Sequence, residues 1–276
     1  MARTVAIMLL AMSLIPFGDT AGKILVASGV SPFFVGWSRF ALGALMVLPF
    51  LAGSLDLQLY RNPKIWLRGA LIAGGVACIL SALRTEPLAN VFGAFFVGPI
   101  LSYFLSGLLL GERLSASRTV LLLIGFLGVL LVVKPGFGMT PGLAFAVAAG
   151  VFYGLFLVAS RWVAGVASSP VLLLSQLVIA ALLLAPLGLA TIPELSAPVA
   201  GLVIWSAGGS MLGNLLLVVA FQRAEAGQLA PFVYFQLIAA TALGWLFFGD
   251  LPDGLALLGL GLLISAGFGS LVLRRA

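Results

Sequence analysis

In the stretch IPFGDTAGK, residues 15–23, Asp19 and Lys23 stand four residues apart inside an apolar run from Thr4 to Ala27. Gly18, Gly22 and Lys23 share letters with a phosphate-binding loop. The spacing rejects that chemistry: such a loop needs four residues between its glycines and a Ser or Thr after the Lys. Here three intervene and Ile24 follows. On a helix the same spacing puts both charges on one face, acid first, the favourable order for an ion pair. The expectation is an Asp19–Lys23 pair on a helix loosened by Pro16 and two glycines, facing a watery cavity or another helix. Lys23 has a second reading, because near the end of its run it can snorkel to the surface. Arg39 is the third charge inside an apolar run. Each such charge costs about 2.5–3.5 kcal/mol at the centre of a membrane helix, so all three need a reason.

Uncharged polar residues supply the remaining candidates. Ser206, Ser210 and Asn214 recur every four residues and form one stripe along the run 199–221. The run 227–248 carries Gln228, Tyr234 and Gln236, the run 88–110 carries Asn90, and the run 141–163 carries Tyr153. With Phe17, these residues form the expected lining of a substrate pocket: Asn214, Tyr234, Gln236, Asn90, Gln228, Tyr153, Phe17 and Ser210. The competing role for Ser, Asn and Gln is to hydrogen-bond neighbouring helices, and most aromatic rings in such runs pack against lipid or core. An enzyme would need a nucleophile with a base, a metal cluster or paired carboxylates. The chain has no histidine, and its single cysteine, Cys78, forms no cluster with acids. No catalytic residue, metal or cofactor is expected.

Apolar runs position these residues. Of 276 residues, 62% are hydrophobic and 8% charged, with a mean hydropathy of +1.25; a soluble domain carries about a quarter charged residues. A helix needs about 20 apolar residues to cross a bilayer. Ten runs qualify: 4–27, 31–52, 65–83, 88–110, 117–133, 141–163, 169–190, 199–221, 227–248 and 254–272. They lack the alternation of a β-barrel strand, so the fold class is all-α, a polytopic membrane protein of ten helices. With a cytoplasmic N-terminus, Arg3, Arg61, Lys64, Arg68, Arg113, Arg118, Arg161, Arg223, Arg274 and Arg275 all fall inside. Arg84 and Lys134 fall outside, beside Glu86, Glu194, Asp250 and Asp253. That segregation is the positive-inside pattern. It places both termini in the cytoplasm and accounts for the net charge of +6 without a nucleic-acid partner.

Sliding the sequence by half its length, 138 residues, lays Lys23 on Arg161, Ser31-Pro32 on Ser169-Pro170, Asn90 on Gln228 and Gly111-Glu112 on Gly249-Asp250. Two repeats, 1–138 and 139–276, follow. Each holds five helices, an odd number, so the second must enter the membrane from the opposite side. Inverted repeats of this kind house a substrate site near the midplane, at their interface. Gly125 and Gly128, with Gly259, Gly261 and Gly267, allow close helix approach, within a monomer or across a homodimer.

The segments SPFFVGWSRFALGALMVLPF (31–50) and ALRTEPLANVFGAFFVGPILSYFLSGLLLGERLSASRTVLLLIGFLGVLLVVKPG (82–136) resemble the drug/metabolite transporter superfamily, EamA type. The second half matches more loosely, with Leu237 in the place of Pro99 and Asp250 in the place of Glu112. The resemblance implies a bacterial inner-membrane protein with a cavity between the halves, exporting or exchanging small metabolites, commonly amino acids. It also implies that Arg39 serves packing or gating.

Overall fold

The computed structural model describes residues 2–51, 57–111, 115–223 and 229–272. Among them no strand is formed, and the helices follow the apolar runs closely. They are α1 (Ala2–Ala27), α2 (Pro32–Leu51), α3 (Pro63–Leu83), α4a (Leu88–Phe95) with α4b (Val97–Leu110), α5 (Ala116–Val133), α6 (Pro141–Trp162), α7 (Ser169–Ala190), α8 (Ala197–Arg223), α9 (Phe235–Phe248) and α10 (Gly254–Val272). Short 3-10 turns cover Leu57–Arg61 and Ala230–Tyr234. Seven spans, with α4a and α4b counted as one, are long and apolar enough to cross a membrane, and shorter apolar helices supply three more. Helices satisfy their own backbone groups in hydrocarbon, which is why the apolar runs take this form.

Local chemistry sets the helix ends. Asn62 caps α3 by accepting from the Lys64 N–H at 3.0 Å, and Pro63 starts it where a missing N–H costs nothing. Thr140 caps α6 in the same way, accepting from the Leu143 N–H, ahead of Pro141. The fourth span breaks at Phe96 because Pro99 offers no N–H to the Phe95 carbonyl and its ring crowds that turn.

The repeat is visible in these details. Phe96 maps on Tyr234 at the 138-residue offset, and both mark a break: α4a to α4b, and the 3-10 turn to α9. Their rings meet, with centroids 4.9 Å apart. The broken spans end on Gly111 and Gly249, which map on each other and share φ 68°, a left-handed conformation that suits glycine. Helix pairing repeats as well: α1 packs on α8 as α6 packs on α3, and α2 packs on α8 as α7 packs on α3. The pairs α2–α7 and α5–α10 map on themselves.

Close approach depends on small residues. A Cβ at Gly18 would lie 2.7 Å from the Ser210 nitrogen and 2.9 Å from the Ser206 oxygen of α8, and one at Gly128 would lie 2.6 Å from the Gly259 oxygen of α10. Gly128 and Gly259 therefore pack within one chain, and Gly267 holds the Tyr234 ring, while Gly261 has open space. Gly18→Ala is expected to cost about 1–3 kcal/mol through overpacking, read as a lower Tm of the purified protein. Gly261→Ala should leave Tm unchanged. A Gly18→Ala protein melting with the parent would mean that α1 and α8 are not held by that contact.

Candidate functional site

A cavity of about 870 Å³ lies between the repeats and takes lining residues from all ten spans. At one end its wall includes Arg161, Ala164, Gly165 and Ser169, exposed residues at the α6–α7 connection. At the other end the wall reaches Asp19 and Arg39, which are 3% and 7% exposed. One turn beyond Asp19 the bundle is tied across. Lys23 Nζ donates to Asp250 Oδ2 at 2.8 Å and to the Glu86 carbonyl at 3.0 Å, and lies 4.5 Å from the centre of the Phe248 ring. Thr140 donates to the Glu86 carboxylate, and Lys134 pairs with Asp253. The Lys134 ammonium and the Ala256 N–H hold the exposed Asp253 carboxyl below its usual range. The side-chain ties Lys23–Asp250, Glu86–Thr140 and Lys134–Asp253 each join a residue before 138 to one after it. The cavity thus opens at one end and is strapped between the halves at the other.

The expected Asp19–Lys23 pair does not form. Arg39 Nη1 donates to Asp19 Oδ1 at 2.5 Å, and Nη2 donates to Ser206 Oγ at 2.8 Å and to the Gly18 carbonyl at 3.4 Å. Gly22 is the reason the guanidinium fits, since a Cβ there would lie 2.8 Å from Arg39 Nη2. The glycines therefore admit α8 and Arg39. A pair within α1 would leave Arg39 buried without a counter-charge, the costly arrangement for an ion in low dielectric. Crossing over gives each of the four charges a partner. Snorkelling of Lys23 is corrected too, because its side chain is 10% exposed and bonded inward.

Of the expected pocket residues, Asn214, Ser210, Tyr234, Gln236 and Tyr153 line the cavity together with Asp19 and Arg39. Asn214 Nδ2 donates to the Ser210 carbonyl at 2.8 Å, one turn back on α8. The Tyr153 ring lies 4.8 Å from Phe95 and 5.9 Å from Phe156, centre to centre. Phe17 is a correction. At about 100° per residue it points almost opposite to Asp19, and it packs on Trp205 at 4.7 Å instead of facing the cavity. Asn90 is another: it sits six residues before the Phe96 break, towards the strapped end, outside the cavity lining, with Oδ1 buried and unpartnered. Lys23 also lies outside the lining. Gln228 lies outside the described residues.

Two lining residues escaped the sequence reading. Arg68 was grouped with Arg61 and Lys64 as a charge at a helix end, yet it is 8% exposed and faces the cavity. Its position past the Asn62 cap, more than a turn inside α3, was the available signal. Gln176, the one glutamine between 169 and 190, lines the wall with its Oε1 buried and unpartnered. Aromatic rings Phe92, Phe95, Phe96, Tyr153, Phe156 and Tyr234 complete a wall that is mostly apolar with a few convergent polar groups, the usual make-up of a site for a small organic molecule.

Comparison with known proteins agrees with this architecture. The model of the EamA-like transporter family matches twice, over residues 2–134 and 140–272. The pseudopaline exporter CntI of Pseudomonas aeruginosa (strain UCBPP-PA14) is 29% identical over 231 residues, 80% of this chain and 79% of its own length. The S-adenosylmethionine uptake transporter of Rickettsia bellii (strain RML369-C) is 24% identical over 238 residues, 85% and 81% of the two chains. A solved crystal structure aligns with a TM-score of 0.70 at 21% identity, covering 99% of this chain and 98% of its own.

Proposed function

The chain belongs to the EamA-like transporter family, and from that premise we propose that it is a secondary transporter working by alternating access, exporting or exchanging amino acids, aromatic and other neutral ones included. The observation that carries the reading is the cavity open at the α6–α7 connection and strapped between the halves at the Lys23 end. With the basic residues inside, as the charge segregation predicts, that opening faces the cytoplasm of a bacterial inner membrane. The units that rock are residues 1–138 and 139–276. Arg161, which maps on Lys23, sits at the open mouth and donates to Ser106 of α4b. The counterpart of Asp250 is Glu112, outside the described residues, so the sequence carries a second basic–acidic couple for the opposite closure.

The aromatic wall around Tyr153 and Tyr234 suits an apolar or aromatic side chain, and Asn214, Ser210 and Gln236 suit the polar end of an amino acid. One relative is named an exporter and another an uptake transporter, so both directions need assay. Protein reconstituted in liposomes should exchange labelled amino acids, tested with and without a pH gradient. Failure to move any member of a full amino-acid panel in either direction would sink the cargo assignment. Asn214→Ala, Tyr234→Ala and Gln236→Ala are each expected to lower transport at matched protein levels, by about 0.5–1.5 kcal/mol per lost hydrogen bond. Parental rates in all three would move the site away from this wall.

A further inference from the structure

We infer that Arg68 is the docking residue for a carboxylate on the cargo, an assignment that rests on the transport reading above and names the group the cavity selects. Among the described lining residues the charged groups are Asp19, Arg39, Arg68 and Arg161. The one acid is taken by Arg39 at 2.5 Å, so the wall carries an excess of positive charge. Arg68 and Arg161 supply that excess.

Its surroundings are built but incomplete. Arg68 Nε donates to Ser160 Oγ at 2.9 Å and Nη1 to the Leu172 carbonyl at 2.8 Å, which fixes the guanidinium between α6 and α7. Both acceptors are neutral. The guanidinium carbon lies 4.8 Å from the centre of the Phe156 ring, a cation–π contact that offsets part of the cost of burial. Those bonds use two of the five N–H groups of an arginine. Among the described residues no acid pairs with Arg68; a buried cation left so in a membrane protein is costly, and such residues mark substrate paths. A carboxylate arriving from the cavity would accept from the remaining Nη groups side by side, the geometry that makes arginine selective for planar anions. Tyr153, stacked on Phe156, then lies where a ring or apolar chain attached to that carboxylate would rest. A single fixed guanidinium in an aromatic wall suits a carboxylate monoanion better than a phosphate dianion.

The alternative is that Arg68 only clamps α3 to α6 and α7. Purified full-length protein in detergent separates the two through binding of L-phenylalanine, 3-phenylpropionate, L-phenylalanine amide, phenylethylamine and phenyl phosphate, followed by thermal shift. The acid ligands should bind, and the amide and amine should bind at least about tenfold more weakly, the scale of one charged hydrogen-bond pair. Arg68→Lys should keep part of that preference and Arg68→Gln should erase it. Equal binding of acid and amide by the parent protein would overturn the assignment while leaving amino-acid transport intact. So would an Arg68→Gln change that weakens all ligands by one factor, the signature of a clamp. Tighter binding of phenyl phosphate than of 3-phenylpropionate would overturn the carboxylate in favour of a phosphate. Absence of binding by both acids would overturn it too, and the liposome assay would judge transport separately. Should Arg68→Gln fail to fold, the acid–amide comparison on the parent and on Arg68→Lys decides.

Discussion

Replacing Arg39 by leucine is expected to remove most of the folded protein from the membrane. Asp19 is 3% exposed and its carboxylate is held by the Arg39 guanidinium. Taking away one member of a buried pair leaves a bare charge, a loss of about 3–5 kcal/mol. Whole proteins are stable by only about 5–15 kcal/mol, so the substitution removes a large share. Adding Asp19→Leu should restore much of the loss, because both charges then leave together. The measurement is a double-mutant cycle on Tm in detergent and on protein level in the membrane. Strong coupling is expected between 19 and 39 and near-additivity between 19 and 23. Coupling between Asp19 and Lys23 with none to Arg39 would mean that the pair lies within α1 after all.

Asp250→Asn is expected to open the strapped end. The Lys23–Asp250 bridge joins the first half to the second across that end, with Lys23 side-chain exposure at 10% and Asp250 at 34%. Partial exposure discounts the energy of the bridge, but a change of about 1.4 kcal/mol already moves a two-state balance tenfold. A cysteine at Ala240 reports it, since that residue is fully buried on α9, one turn from Gln236 on the way to Gly249. On a Cys78→Ala background, an impermeant maleimide should modify Ala240→Cys roughly tenfold faster when Asp250→Asn is added. Asp253→Asn, which loosens the Lys134 tie, should add to it. Unchanged labelling in both would show that the ties do not govern closure. On the proposed alternating-access mechanism, the same substitutions should alter transport rate with little effect on Tm.

The spans and the repeat were legible in the sequence because they rest on local or one-dimensional signals. An apolar run of about 20 residues in lipid must be a helix. The caps at Asn62 and Thr140 and the break that Pro99 makes in its own span also rest on local chemistry, but the run 88–110 read as one helix and hid that break. Gly111 and Gly249 repeat at half the chain length and take the same left-handed cap. Helical spacing also grouped Ser206, Ser210 and Asn214 on one stripe, and Ser210 and Asn214 line the cavity.

The partners of the charges were decided only in the folded chain. Four-residue spacing predicts that Asp19 and Lys23 share a face, but it carries no knowledge of Arg39 arriving from α2 over Gly22, or of Asp250 waiting beyond α9. Arg68 looked like one more basic residue at a membrane surface until α6 and α7 supplied Ser160 and Leu172 to hold it inward. Phe17 and Asn90 had the right residue types and the wrong directions. Periodicity tells which residues of one helix lie together. Which neighbour they meet depends on the rotation and tilt of other helices, set by packing across the whole bundle and by the need of each buried charge for a counter-charge. That choice is a property of the assembled structure.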